Sequence, residues 1–120
     1  MPMYLAPLAA ILKKGKVQQA ILNFLGTFGL FGGLAVMIYA EPVFISTIGI
    51  NIQTMVHHGS QVVIGVFLLA SHRVEFSRKS MIGAFIVFVI PLFLAIGMNY
   101  AFFAWKGYAA GQFNMFWVSP

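Results

Sequence analysis

The sequence contains no cysteine and no aspartate, and its only acidic residues are two glutamates. Without cysteine, these 120 residues hold no disulfide, no thiolate metal site and no cysteine nucleophile. Glu41 and Glu75 lie far apart in the sequence, which argues against the paired-carboxylate chemistry of glycosidases. Charged residues make up 8% of the chain. Soluble domains carry about 25%, so the charges here are too few to cover a water-exposed surface.

The chain is instead rich in apolar sequence, with 61% hydrophobic residues. A helix that crosses a bilayer needs about 20 mainly apolar residues. Three segments reach that length, and they are residues 17–40, 51–71 and 80–105. A fourth apolar stretch, residues 3–12, has about half the length, and we interpret it as a truncated first helix. The sequence therefore predicts an all-α, polytopic transmembrane helix bundle, with residues 1–120 forming a single domain that is a fragment of a larger bundle.

Six of the seven cations fall in two of the gaps between apolar segments. These residues are Lys13, Lys14, Lys16, Arg73, Arg78 and Lys79. The gap of residues 41–50 has none, and short loops rich in lysine and arginine stay on the cytoplasmic side. We therefore expect a multi-pass membrane protein with both cationic gaps inside. Because the cations do not follow one face, we expect membrane lipid and not nucleic acid as the partner.

The first full span is rich in glycine, at Gly26, Gly29, Gly32 and Gly33. Gly29 and Gly33 form a G-x-x-x-G pair, a pattern typical of spanning helices whose backbones approach closely. The pattern predicts helix packing, and the alternative is that the small residues leave room for a lipid tail.

The second full span carries an unusual number of polar residues. Asn51, Thr54, His58, Gln61 and Gly65 follow helical steps of three and four and share one stripe, and Gln53, His57 and Ser60 form a neighbouring stripe. Polar and ionisable side chains are costly at membrane depth and usually face protein or trapped water. This half of the helix is therefore the candidate site.

Helix geometry predicts how deep the site lies. With Asn51 at the outer boundary, His58 lies about 10 Å below it, and Asn99 on the next helix reaches a similar depth. We expect a pocket that opens toward the outer leaflet. Its predicted lining consists of Glu41, Asn51, Thr54, His57, His58 and Asn99.

A neutral imidazole in this pocket can act as a general base, and His58 is the better candidate because its stripe holds more partners. His57 and Asn99 complete the catalytic candidates. The alternative is that both histidines only hydrogen-bond across helices. Adjacent histidines point about 100° apart on a helix and no carboxylate lies near them in the sequence, so neither a metal nor a cofactor is predicted. His72 is expected at the inner membrane boundary.

Several motifs also carry a family resemblance. They are FGGLAVMIY at 31–39, HHG at 57–59, NY at 99–100 and FNMFWVSP at 113–120. Over nearly its whole length the chain resembles YwaF-type bacterial integral membrane proteins. The resemblance implies a protein of the bacterial cytoplasmic membrane and a longer bundle with additional helices. It also implies a distant similarity to a vertebrate transmembrane acyltransferase of phospholipid remodelling, in which a cysteine and a histidine form the proposed catalytic pair. The histidine matches His58, and the cysteine would precede Met1.

Two functions of different classes follow from these residues. The first is a lipid-modifying enzyme, acting by acyl transfer or hydrolysis on a lipid or acyl substrate, with His58 as base and Asn99 or Asn51 as a positioning group. These residues alone cannot transfer an acyl group through a cysteine. The second is a non-catalytic membrane component, permease-like or partner-binding, whose polar stripe lines a solute path or contacts another subunit.

Overall fold

The computed structural model describes residues 2–39, 44 and 46–106. The elements in chain order are α1 (Pro2–Ile11), α2 (Lys16–Phe24), a π-helical segment (Leu25–Gly29), α3 (Leu30–Ile38), α4 (Ile48–Ala70) and α5 (Arg78–Lys106). No strand occurs within these ranges. The chain divides into two compact units, one that ends at Phe85 and one that begins at Ile86, and each is described by itself. The prediction of a single domain stays a prediction.

Three helical spans are long and apolar enough to cross a membrane: Lys16–Ile38, Ile48–Ala70 and Arg78–Trp105. The first comprises α2, the π-helical segment and α3 without interruption. Their ends agree with the predicted segments to within three residues. Helix α1 has 10 residues, about half of what a bilayer requires. The predicted all-α fold, with three full spans and a shorter first helix, is therefore confirmed, and the chain is a multi-pass membrane protein.

Glycines bring α3 and α4 into close contact in the first unit. A Cβ atom placed on Gly33 would lie 2.9 Å from the carbonyl oxygen of His58 and 3.0 Å from the Cβ of Gln61. A Cβ on Gly65 would lie 2.6 Å from the Cβ of Leu30. Only a hydrogen in place of a side chain permits these approaches, so the helix-packing interpretation is confirmed at Gly33.

The other members of the glycine motif behave differently. A Cβ on Gly29 would meet the carbonyl oxygen of Phe24, in its own span, at 3.5 Å, and a Cβ on Gly32 would meet nothing within 4 Å. A Cβ on Gly26 would collide with the side chain of Val74 in the loop after α4. Gly33 therefore contacts a neighbouring helix, and Gly26 contacts a loop.

The π-helical segment lies in the middle of the first span. The hydroxyl of Thr27 donates a 2.6 Å hydrogen bond to the carbonyl oxygen of Asn23, one turn earlier. Such bonds divert a carbonyl from the helical ladder and often bend a helix. The ring of Phe28 lies 6.4 Å from the ring of Phe24 and 6.4 Å from that of Phe85 on α5. This segment therefore holds the beginning of α5 against the first span.

Two caps define the short turn between α4 and α5. His72 has a positive φ of 53°, its N–H donates to the oxygen of Leu69, and the N–H of Arg73 donates to the oxygen of Leu68. This pair of bonds is a Schellman motif, which satisfies the last carbonyls of a helix. Ser77 starts α5, because its Oγ accepts a hydrogen bond from the N–H of Ser80 at 3.2 Å. Arg73 therefore lies at the end of α4, and Arg78 and Lys79 begin α5.

Candidate functional site

The centre of the candidate site is an imidazole–amide–imidazole cluster on α4. Gln61 follows His57 by four residues and His58 by three, so its side chain reaches both rings. Its Nε2 lies 2.9 Å from Nε2 of His57, and its Oε1 lies 3.3 Å from Nδ1 of His58. The two rings lie edge to face with centroids 5.1 Å apart. One glutamine therefore links the two predicted histidines.

In this orientation of the Gln61 amide, its two contacts set which imidazole nitrogen accepts and which donates. Its Nε2 donates to Nε2 of His57, which must then be the acceptor nitrogen of that ring. Its Oε1 accepts from Nδ1–H of His58. The remaining lone pair of His58 is on Nε2, and no hydrogen bond from the described residues reaches that atom. In this arrangement His58 presents a base nitrogen and His57 presents a donor.

The cluster is anchored where α4 packs against α3. Gln61 is 6% exposed, and its Cβ occupies the space that the missing side chain of Gly33 leaves. His57 and His58 are half-buried. The glutamine is thus fixed between two helices, and it positions both rings from one side. Sequence reasoning placed Gln61 on the His58 stripe, and the structure adds that it also contacts His57.

The other predicted lining residues are distributed over several parts of the chain. Asn51 and Thr54 are half-buried on α4, one to two turns before the histidines. Glu41 lies outside the described residues. Asn99 is 1% exposed and belongs to the second unit, so its position at the depth of His58 stays a prediction. The outer-leaflet pocket as a whole likewise stays a prediction.

The cluster offers imidazole and amide chemistry. Among the described residues no group of three or more histidine, cysteine, aspartate or glutamate side chains could hold a metal ion. The neighbouring hydroxyl of Ser60 donates to the carbonyl oxygen of Val56 at 2.6 Å, in its own helix. Both rings bond to Gln61 of the same helix. The alternative that the histidines only hydrogen-bond across helices stays a prediction.

A second polar cluster, at the cationic end of the first unit, was missed by sequence reasoning. Its members are Gln18, Gln19 and Asn23 on α2. The amide of Gln18 donates to the carbonyl oxygens of Ala9, at 2.8 Å, and Leu12, at 3.1 Å. The amide of Gln19 donates to the oxygen of Arg73 at 2.9 Å and to Oδ1 of Asn23 at 3.0 Å.

Asn23 completes this second cluster by bonding to the backbone of Glu75. Its Nδ2 donates to the oxygen of Glu75 at 3.0 Å, and its Oδ1 accepts from the N–H of Glu75 at 2.9 Å. The cluster thus ties both cationic turns to α2. A signal was present in the sequence, since the segment from Val17 to Phe24 is apolar apart from these three amides, and buried amides need partners.

Compared with known proteins, the chain matches no family model, no curated protein and no solved structure. The resemblance to YwaF-type proteins stays a prediction that rests on the sequence motifs.

Proposed function

We propose that the chain belongs to a lipid-modifying enzyme of the bacterial cytoplasmic membrane, in which His58 is the general base. The observation that carries this proposal is the Gln61 bridge, because it leaves Nε2 of His58 as an acceptor on a half-buried ring within a membrane span. A base at this depth meets the ester groups of lipids more readily than it meets soluble substrates.

The proposed chemistry uses water or an alcohol as nucleophile. Nε2 of His58 takes the proton while the oxygen attacks the carbonyl carbon of a lipid ester, and the imidazolium then returns the proton to the departing alkoxide. Hydrolysis releases a fatty acid, and attack by an alcohol transfers the acyl group. His57 is the partner group that Gln61 holds beside the base. Asn99 or Asn51 remains the proposed positioning group.

The second candidate is a non-catalytic, permease-like or partner-binding component. The observation in its favour is that Gln61 satisfies one nitrogen of each histidine inside a single helix, which also gives the polar groups a purely structural reason to be there. Binding without turnover is the expected behaviour of such a protein.

The assignment to a YwaF-type family and the cytoplasmic location of the two cationic turns are part of the same proposal. They are supported by the HHG and NY motifs and by the gathering of both cationic turns at one end of the first unit.

The decisive experiment replaces His58 by alanine, in the protein expressed in a bacterial membrane, and follows the lipid composition by mass spectrometry. Removal of a general base lowers the rate about 10²- to 10⁴-fold, so the lipid change produced by the wild-type protein should disappear. Gln53→Ala is the matched control, because Gln53 is an exposed polar residue on the same helix outside the cluster.

A normally folded His58→Ala protein with an unchanged lipid pattern would reject the catalytic proposal. Saturable binding of a lipid or solute without turnover would then favour the second candidate. Gln61→Leu tests the role of the Gln61 bridge separately, since it removes the hydrogen bonds to both imidazole rings and keeps both histidines. A catalytic His58 predicts reduced turnover and a changed pH profile in that variant.

A further inference from the structure

A cavity of about 340 Å³ lies at the cationic end of the first unit. It is lined by Lys14 and Gly15 from the turn after α1, by Gln18 and Gln19 from α2, and by His72 and Arg73 from the turn after α4. The two cationic turns, which are far apart in sequence, therefore face one space. Glu75 also lines the cavity, and its Oε2 accepts a 2.9 Å hydrogen bond from the hydroxyl of Ser80.

A second cavity, of about 390 Å³, adjoins the first. Ala6, Ala9 and Ala10 of α1 form one wall, and Ile64 and Phe67 of α4 form the other. The two cavities share Gln18, Leu22 and Arg73 in their linings, so a polar, cationic compartment and an apolar one meet at these residues. Alanines keep the apolar compartment open, since larger side chains on α1 would fill it.

The walls of both compartments are held by hydrogen bonds that do not use the cationic side chains. Gln18 fixes the end of α1 through the oxygens of Ala9 and Leu12, and Gln19 fixes the turn after α4 through the oxygen of Arg73. The side chains of Lys14 and Arg73 are exposed. The site is therefore preorganised, with an ammonium and a guanidinium available to a ligand.

We propose that this pair of cavities binds one anionic phospholipid of the cytoplasmic leaflet. The phosphate lies between Lys14 and Arg73, where the guanidinium can bind two phosphate oxygens at once. One acyl chain follows the alanines of α1 into the apolar compartment. Basic pockets between spanning helices on the cytoplasmic side are typical headgroup sites. A soluble phosphate would fill the polar compartment and leave the apolar one empty, which is why a lipid fits better.

This site is separate from the imidazole cluster and does not depend on the proposed enzyme function. His72 follows His58 by fourteen residue steps, which corresponds to about 20 Å along the helix. The imidazole cluster lies in the middle of α4, and the occupant is thus a second, regulatory or structural lipid at the C-terminal end of that helix.

The experiment compares phosphatidylglycerol with phosphatidylcholine in nanodiscs that contain the purified chain, with native mass spectrometry and thermal unfolding as readouts. Lys14→Gln and Arg73→Gln should each weaken phosphatidylglycerol binding about five-fold, as expected for one cation near a lipid phosphate. Lys13→Gln and Arg78→Gln are the matched controls. Each removes one positive charge near the tested residue, from the turn after α1 and from the first residue of α5, and neither residue lines the cavity. These controls should bind like wild type.

A variant of the apolar compartment distinguishes a lipid from a free phosphate. Ala10→Phe fills the apolar compartment without a change of charge, and it should weaken phosphatidylglycerol binding. Glycerol 3-phosphate, which has no acyl chain, should not compete with phosphatidylglycerol for wild type or for Ala10→Phe. Equal binding of the two phospholipids, or an equal loss in the control variants, would overturn the proposal. Full competition by glycerol 3-phosphate would show that the site binds a phosphate and not a lipid.

Far-UV circular dichroism establishes that each variant is folded. Arg73→Lys, which retains the charge, should keep most of the binding.

Discussion

At the scale of single residues, Asn23 links two distant parts of the first unit. Its side chain is 0% exposed, and its amide pairs with both the N–H and the carbonyl of Glu75, in the way one strand pairs with another. The partner lies 52 residues further along the chain. One side chain therefore joins the first span to the turn between α4 and α5.

Asn23→Leu should destabilise the protein. The substitution keeps the branched shape of the side chain and removes both hydrogen bonds to the backbone of Glu75, each of which contributes about 0.5–1.5 kcal/mol. Unfolding of the detergent-solubilised protein by heat or by sodium dodecyl sulfate measures the effect. Gln53→Leu makes a similar change of polarity on an exposed face of α4 and should leave the stability nearly unchanged. Equal stability of wild type and Asn23→Leu would show that the pairing with Glu75 contributes nothing.

The two polar clusters differ in how far they could be predicted. The contacts among His57, His58 and Gln61 depend on helical steps of three and four, which the sequence displays directly. The partners of Gln19 and Asn23 are backbone atoms of a distant turn. Backbone groups leave no mark in the sequence, so the pattern could indicate that these amides need partners but not where the partners lie.

At the scale of helices, the contact between α3 and α4 depends on Gly33. Its missing side chain lets the carbonyl of His58 approach, and the same contact supports Gln61. The length and apolar character of each span are local properties, so the sequence predicted the spans well. Which glycine faces a neighbouring helix depends on rotation about the helix axis, and the π-helical segment before α3 changes that rotation. The G-x-x-x-G motif was therefore informative at Gly33 and not at Gly29.

Gly33→Leu should separate α3 from α4, whereas Gly32→Leu should not. A Cβ at Gly33 would lie 2.9 Å from a backbone oxygen, and a Cβ at Gly32 would meet nothing within 4 Å. Overpacking of this kind costs about 1–3 kcal/mol. The two variants change adjacent residues in the same way, so the difference in their melting temperatures isolates the contact. Equal melting temperatures would mean that the helices are not packed at Gly33.

At the scale of the whole molecule, the arrangement of charge predicts the orientation in the membrane. Both cationic turns lie at one end of the first unit, joined by the bond from Gln19 to the oxygen of Arg73. Ser46 is exposed and lies just before the N-terminal end of α4, whereas the cationic turns lie at the C-terminal end of that helix. The positive-inside rule then puts the cationic end in the cytoplasm.

Because the sequence has no cysteine, single cysteines report on this orientation without background. A membrane-impermeant maleimide applied to intact cells should label Ser46→Cys. It should label Lys13→Cys and Arg78→Cys only after the membrane is permeabilised. The reverse pattern would invert the orientation, and it would move the proposed phospholipid site to the outer leaflet.

The amide pairing between Asn23 and Glu75 also bears on how the protein is made. Ribosomes add about 5–20 residues per second, so the first span leaves the ribosome several seconds before its hydrogen-bond partner, 52 residues later, has been synthesised. Within its own helix, Asn23 has a partner from the start, because Gln19 donates to its Oδ1. The pairing that joins the first span to the turn between α4 and α5 can form only after residue 75 has been synthesised.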